Sequence, residues 1–375
     1  MLLHKCQYES STLYTLLDSQ DRVAVHPTLY MRYLLKRARP VESQRQIAYV
    51  VKLHCQWVEE SSRLRDSSVD EAVACIDGDD ILDWINDQRK TGVSEATVNN
   101  RELLVREMYR WFTTASGGRV RTDLPWCDKP YSKTPHSRLP RFVTKEQVIR
   151  LLKGMHNESQ RVAAHFMYDT GVRVSELVRL TNRYLPQESD WPEEVNYYPL
   201  LVPGSKPYDG RKYKYRYTII SRPVLARVRR YHATPEYIMA KAADMPGPDK
   251  PVFLNVHGGP LTKDSVQKGI RDAWLRQGGR FREVSPHRLR HGAAFSILQS
   301  EFGKELLDSM LILKGVLGHS QLSTTEIYSA IPVTALQSVA GRREVRLKYR
   351  EAQDIYDATY LPRYMNTERR GRWRR

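Results

Sequence analysis

The chain is short of acid, of paired cysteines and of long apolar runs, and each shortage excludes something. Against 60 Lys and Arg stand only 43 Asp and Glu in 375 residues, a formal net charge of +17 at pH 7. A folded protein with such an excess repels itself, and a polyanionic partner is the usual reason to tolerate it. DNA, RNA and an acidic membrane surface all qualify. The four cysteines, Cys6, Cys55, Cys75 and Cys127, make no CxxC pair and sit at no metal-ligand spacing with histidine, so they read as reduced intracellular thiols. No apolar run approaches the roughly 18 residues of a membrane span, and the opening MLLHKCQYESS is too polar for a signal peptide. The expectation is a cytoplasmic protein that meets nucleic acid, nucleoid-associated if bacterial, with no membrane partner. Also lacking are a G-x-x-x-x-G-K-[ST] phosphate loop and a carboxylate cluster suited to two-metal nuclease chemistry, so neither a cofactor nor a metal is expected.

What is present is mainly helical. VESQRQIAYVVKLHCQWVEESSR sets Ile47, Val50, Val51, Trp57 and Val58 at helical spacing after a polar lead-in. A second helix fits DDILDWINDQRK. A third fits SEATVNNRELLVREMYRWF, with Ser94 as N-cap and Leu104, Val105, Met108, Trp111 and Phe112 on its apolar face. Residues 1–117 therefore read as an all-helical domain. From 118 to 138 the pattern breaks into Gly, Pro, Ser and basic residues, a basic linker. A second domain spans 139–335 and opens on a helix capped by Thr144, with Val148, Leu151 and Leu152 inward. Within it NYYPLLV and KYKYRYTII read as two strands around a turn containing Pro207, Asp209 and Gly210. The second strand alternates Tyr213, Tyr215, Tyr217 and Ile219 with Lys214, Arg216 and Thr218, one face apolar and the other largely basic. Residues 336–375 form a basic tail that starts as a helix and ends rich in arginine.

Three segments of the second domain carry candidate chemistry. DTGVRVSELVRLT places Arg173 just ahead of a helix holding Glu176. SPHRLRHGAAFSIL places His287 and Arg290 three apart, on one helical face. LGHSQLSTTEIYSAI separates His319 and Tyr328 by nine positions. Singly each has an ordinary explanation: a turn before a helix, a surface His-Arg pair, a packed aromatic.

Together and in this order they resemble the tyrosine recombinase (phage integrase) family. Its signature is an arginine in an R-x-x-E-L helix, a later H-x-x-R, and an L-G-H followed by a nucleophilic tyrosine; here these are Arg173, His287, Arg290, His319 and Tyr328. The resemblance covers about Leu139 to Ile331, while the first domain is similar by position and pattern to the family's helical core-binding domain. It implies a mainly α fold with a small β-hairpin, an α+β catalytic domain that closes with the core-binding domain as a clamp around DNA. The family also uses a hairpin lysine. Lys206 is the choice, with Lys212 and Lys214 as alternatives because the turn is long. The stretch SEFGKELLDSMLILKG ahead of L-G-H is also longer than the family's usual.

The chemistry suits these residue types. Attack on a phosphodiester builds charge on the non-bridging oxygens, which two guanidinium groups, Arg173 and Arg290, can meet with paired hydrogen bonds. Tyr328, with a free pKa of about 10, must lose its proton as it attacks. The resemblance implies His287 as general base, His319 as a phosphate ligand and Lys206 as the acid that protonates the leaving 5′-hydroxyl. Glu176 braces the cationic site. His291, beside Arg290, is expected to turn away from the face of His287 and Arg290.

The implied activity is site-specific recombination through a 3′-phosphotyrosyl intermediate, as in an integrase or transposase of a mobile genetic element, with no metal and no ATP. Its partners would be double-stranded recombination sites and further protomers, a dimer per site and a tetramer in synapsis, with related recombinases or accessory factors beside them. The tail after Tyr328 stands where the family docks a protomer-exchange helix on a neighbour; its arginine-rich end is an alternative DNA contact. Candidate DNA-binding residues are Arg45, Lys52, Asn99 and Arg101 in the first domain and Arg141, Lys145, Arg211 and Lys212 in the second. The rival readings are a type IB topoisomerase, which shares the phosphotyrosyl step, and a non-catalytic DNA-binding accessory protein.

Overall fold

The computed structural model describes residues 1–8, 11–61, 67–126, 129–133, 143–191, 196–207, 213–240, 247–279, 283–299 and 347–360. The chain divides into two compact units, Met1–Ser137 and Arg138–Arg375. Among the described residues no helix is long and apolar enough to cross a membrane, and no group of three or more His, Cys, Asp or Glu could hold a metal ion. Cys6, Cys55 and Cys75 carry free thiols.

The first unit is not all helical. Its chain opens with an antiparallel hairpin, β1 (Leu2–Tyr8) and β2 (Ser11–Leu17), in which Leu2 pairs with Leu17 and Tyr8 with Ser11. Only Tyr14 and Leu16 of the hairpin are fully buried, so the alternation that announces a strand is nearly silent here. The polar lead-in also hides a helix, α1 (Val25–Lys36), which buries Tyr30, Met31 and Leu34. Its Pro27 lies in the first turn, where an N–H has no intrahelical partner to lose. Then come α2 (Val41–Glu60), α3 (Val69–Cys75), α4 (Gly78–Lys90) and α5 (Glu95–Phe112). Capping residues set their starts: Ser68 and Asp77 each make a reciprocal pair with the third helical residue, and Ser94 accepts the Thr97 N–H. Ile47, Val51, Trp84, Val105, Met108 and Phe112 join one core.

In the stretch read as a linker, the described residues 118–126 and 129–133 form no helix or strand, but part of them is anchored. Glu102, wholly buried on α5, accepts the Trp126 indole N–H at 2.8 Å and the main-chain N–H groups of Tyr131 at 2.6 Å and Ser132 at 2.8 Å, as well as the Ser132 hydroxyl. A buried carboxylate needs such donors, and these tie Trp126 into the first unit's core.

The second unit starts with α6 (Lys145–Lys153), capped reciprocally by Thr144 and Gln147 and burying Val148, Leu151 and Leu152. It continues with α7 (Glu158–Thr170), the one-turn α8 (Val174–Leu177), the antiparallel strands β3 (Tyr197–Pro207) and β4 (Tyr213–Ser221), α9 (Arg222–His232), α10 (Pro235–Ile238), α11 (Lys263–Arg276), α12 (Pro286–Gln299) and α13 (Leu347–Thr359). Pro207, expected in the turn, belongs to β3 and pairs with Tyr213 after a shift of register. Helix α13 lies inside 336–375, yet Ala352 and Ile355 belong to the unit's core rather than to a tail. Ala352 and Ile355, three apart, share the helix face that packs inward. Helix α12 meets α7 at Gly292, where a Cβ would lie 2.4 Å from the Tyr168 ring and 2.9 Å from the Val143 carbonyl oxygen.

Strand β4 turns the opposite way from what polarity favours. Tyr215 and Tyr217 are 54% and 66% exposed, whereas Thr218 and Ile220 are buried and Arg216 points inward. The inward face is tolerated because each polar group on it finds a partner: Thr218 donates to the Thr170 carbonyl at 2.8 Å, and Arg216 reaches Glu176.

Candidate active site

The site is built on the turn between α7 and α8. Helix α7 stops at Gly171, whose φ of 65° is left-handed and suits glycine, and buried Val172 pins the turn. Arg173 follows at the start of α8, and Glu176 is three residues on. The Glu176 carboxylate turns back to accept the Arg173 N–H at 2.8 Å and its guanidinium at 2.9 Å. The same carboxylate accepts Arg216 from β4 at 2.7 Å and 3.3 Å. Glu176 is fully buried, Arg216 is 13% exposed, and Arg173 keeps 35% of its side chain in solvent. Burial pushes the Glu176 carboxyl up, but the hydrogen bond and charge of Arg216, then those of Arg173, win and hold it below the usual carboxylate range. One anion thus fixes two cations while one guanidinium stays accessible. Glu176 braces the site.

The second arginine arrives from α12. Pro286 opens that helix, and Ser285 accepts the Arg288 N–H at 3.3 Å. Arg290, 2% exposed, donates to the Gly171 carbonyl oxygen at 2.5 Å, so α12 grips the turn that carries Arg173. His287 lies in the first turn of α12. Burial first, then the charges of Arg290 and Arg173, hold its imidazole below the ordinary histidine value. That favours the neutral imidazole, the form able to take up a proton. His291 does not turn away: its ring meets that of His287 edge to face, centroids 4.3 Å apart, because four residues along a helix bring side chains onto one face.

Arg173, Arg290, His287 and Glu176 therefore converge, and Arg216 joins them. Lys206 lies in β3 beside Pro207, and Lys214 in β4; their side chains are outside the described residues. His319, Tyr328, Arg141, Arg211 and Lys212 are also outside them, as is the segment ahead of L-G-H. Of the candidate DNA contacts, Arg45 is exposed and pairs with Glu42 at 3.0 Å, and Lys52 is half-buried on α2. Arg101 donates to Gln88 at 3.1 Å, and Lys145 bonds Asp354 on α13 at 2.9 Å. Asn99 is buried and donates to Ser132 at 3.0 Å, so its amide serves the anchored segment rather than the surface. Arg216 was missed because its position on a tyrosine-rich strand looks like solvent-facing charge; the basic face opposite the tyrosines was its only signal.

Residues 141–333 match the profile of the phage integrase family. Over 334 residues the chain is 25% identical to the tyrosine recombinase XerD of Mycobacterium leprae, covering 85% of this chain and 96% of that relative. It is 30% identical over 210 residues to the tyrosine recombinase XerC of Halalkalibacterium halodurans, covering 54% of this chain and 61% of the relative. In fold it is similar to the Tn1549 transposon integrase solved with a circular intermediate DNA, at a TM-score of 0.59 and 17% identity, covering 85% and 99% of the two chains. It is similar also to the XerH site-specific recombinase bound to its difH substrate, at 0.55 and 18%, covering 86% of each. Fold and relatives define the class: a tyrosine-type DNA strand transferase. The chain belongs to the phage integrase family.

Proposed function

We propose that this protein cuts and rejoins DNA at specific sites through a 3′-phosphotyrosyl intermediate on Tyr328. The observation that carries the reading is the joining of Arg173 and Arg290 at one turn, with His287 in the first turn of the same helix as Arg290. Two guanidinium groups supply the positive charge a pentacovalent phosphate requires. His287 accepts the phenolic proton of Tyr328, His319 holds a non-bridging oxygen, and Lys206 protonates the departing 5′-hydroxyl. The covalent link conserves the phosphodiester energy, so the 5′-hydroxyl of a second strand can reverse the step without ATP.

The partner is double-stranded DNA, with contacts proposed from each of the two units. Exchange of two duplexes calls for a dimer on each site and a tetramer at synapsis, in the cytoplasm where the DNA lies. Arg45, Lys52 and Arg101, with Arg141, Lys145, Arg211 and Lys212, are the proposed phosphate contacts; such contacts hold register without reading sequence.

The test uses nicked suicide duplexes carrying candidate sites, resolved under denaturing conditions. A protein–DNA adduct that disappears in Tyr328→Phe is expected. An adduct that survives that change, or none where the site is demonstrably bound, would sink the reading.

A further inference from the structure

Helix α13, beyond the proposed nucleophile in sequence, sends one buried cation to the far side of the α7–α8 turn. Lys348 is 3% exposed and donates to the Asp169 carbonyl oxygen at 2.7 Å. That carbonyl lies in the last turn of α7, where oxygens lack intrahelical partners and the helix end carries partial negative charge. The Lys348 ammonium is also 3.7 Å from Asp169 Oδ1, while Oδ2 accepts the Ser221 N–H from the end of β4 at 2.8 Å. Burial pushes the Asp169 carboxyl up, and the Lys348 charge is the largest influence opposing that rise.

The turn is thus held from three elements. Thr218 of β4 bonds the Thr170 carbonyl, Arg290 of α12 bonds the Gly171 carbonyl, and Lys348 of α13 bonds the Asp169 carbonyl. Three successive carbonyl oxygens are each fixed by a different side chain, directly ahead of Arg173.

We infer that Lys348 is a positioning residue for DNA cleavage: through the Asp169 carbonyl it holds the turn that places Arg173 against Arg290. It touches no substrate and acts only through the turn. The rest of α13 is anchored elsewhere, through Glu351, which accepts Tyr168 and Ser296, and through Thr359, which accepts Arg227. The helix can therefore stay seated without the Lys348 contact. The inference rests on the phosphotyrosyl reading above.

The experiment measures single-turnover adduct formation at saturating suicide duplex for the wild type, Lys348→Met and Thr359→Val. Each is assayed on a normal scissile phosphate and on an uncharged methylphosphonate at the same position. Removing the phosphate charge removes much of the need for aligned guanidinium groups. K348M should keep its DNA affinity yet cleave the phosphodiester about tenfold more slowly or worse, with a methylphosphonate rate within about threefold of wild type. T359V should match the wild type on both. Equal loss on both substrates, no loss on either, or the same loss in T359V overturns the assignment. If K348M does not fold, Lys348→Arg carries the same comparison, since a displaced donor should spare the methylphosphonate selectively and equal rates overturn the idea. Absence of a wild-type adduct fails the phosphotyrosyl reading instead, so the two failures are distinct.

Discussion

Arg290 donates to the main-chain oxygen of Gly171 at 2.5 Å, so a side chain on α12 grips the turn from which Arg173 projects. The two arginines are therefore mechanically linked before any phosphate arrives. Substitution of one disturbs the setting of the other.

Arg173→Lys keeps the charge but loses the planar fork. Single-turnover cleavage should fall about a hundredfold or more, with DNA affinity changed little. Quench-flow adduct assays alongside filter binding separate the two quantities, and a proportionate loss in both would contradict a clamp role.

Replacing Glu176 should unsettle the fold as well as the site. Its folded pKa is depressed, so its stabilising contribution is complete above the free value near 4.5 and is lost as pH falls through the lower folded value. Denaturant melts of the wild type should show the second unit weakening below about pH 4.5. Glu176→Gln should flatten that acid limb, and should destabilise at neutral pH by about 3 kcal/mol, because Arg216 keeps its buried charge without an anion.

The pH profile of cleavage is set at the low end by His287. Its imidazole is held below the free value of 6.5, so the rate, referred to free enzyme and DNA, should be level across neutral pH and fall only below that value. His287→Gln should cleave slowly and without that limb. A limb retained in the variant would assign the ionisation to another group.

For the first unit, Glu102→Ala strands the Trp126 indole and two main-chain N–H groups. A loss of roughly 3 kcal/mol is expected, since each abandoned buried donor costs about 1 kcal/mol or more. Limited proteolysis should then cut between residues 118 and 133 well before the helices, and tryptophan emission should shift to the red.

Gly292→Ala probes the contact of α12 with α7. The added methyl meets the Tyr168 ring and the Val143 carbonyl, so thermal stability should fall by about 1–3 kcal/mol, with a parallel loss of cleavage as Arg290 moves. An unchanged melting temperature would show that the helices separate at little cost.

What could be seen in the sequence was whatever is local. Arg173 and Glu176 are three apart at a helix start, and His287 and Arg290 share one turn, so spacing alone brought each pair together. The caps Ser94 and Thr144 are equally local. The rest depended on distant partners. Arg216 finds Glu176 across 40 positions and Lys348 finds Asp169 across 179, and no periodicity reports such a meeting. Polarity misdirects on β4, where tyrosines face outward because the inward arginine and threonine have partners. Glu102 does the same for the supposed linker: composition marked the stretch as irregular, but only the carboxylate's position inside the fold shows that it is anchored. The opening hairpin escaped because just two of its side chains are fully buried.

Glu176 serving two arginines also bears on how such a chain can drift. Exchange of either arginine alone leaves the buried carboxylate with a single cationic partner, and exchange of the glutamate leaves two cations without an anion. Viable descendants must alter these three positions in concert or leave them untouched, so a site scattered along the chain is inherited as one character.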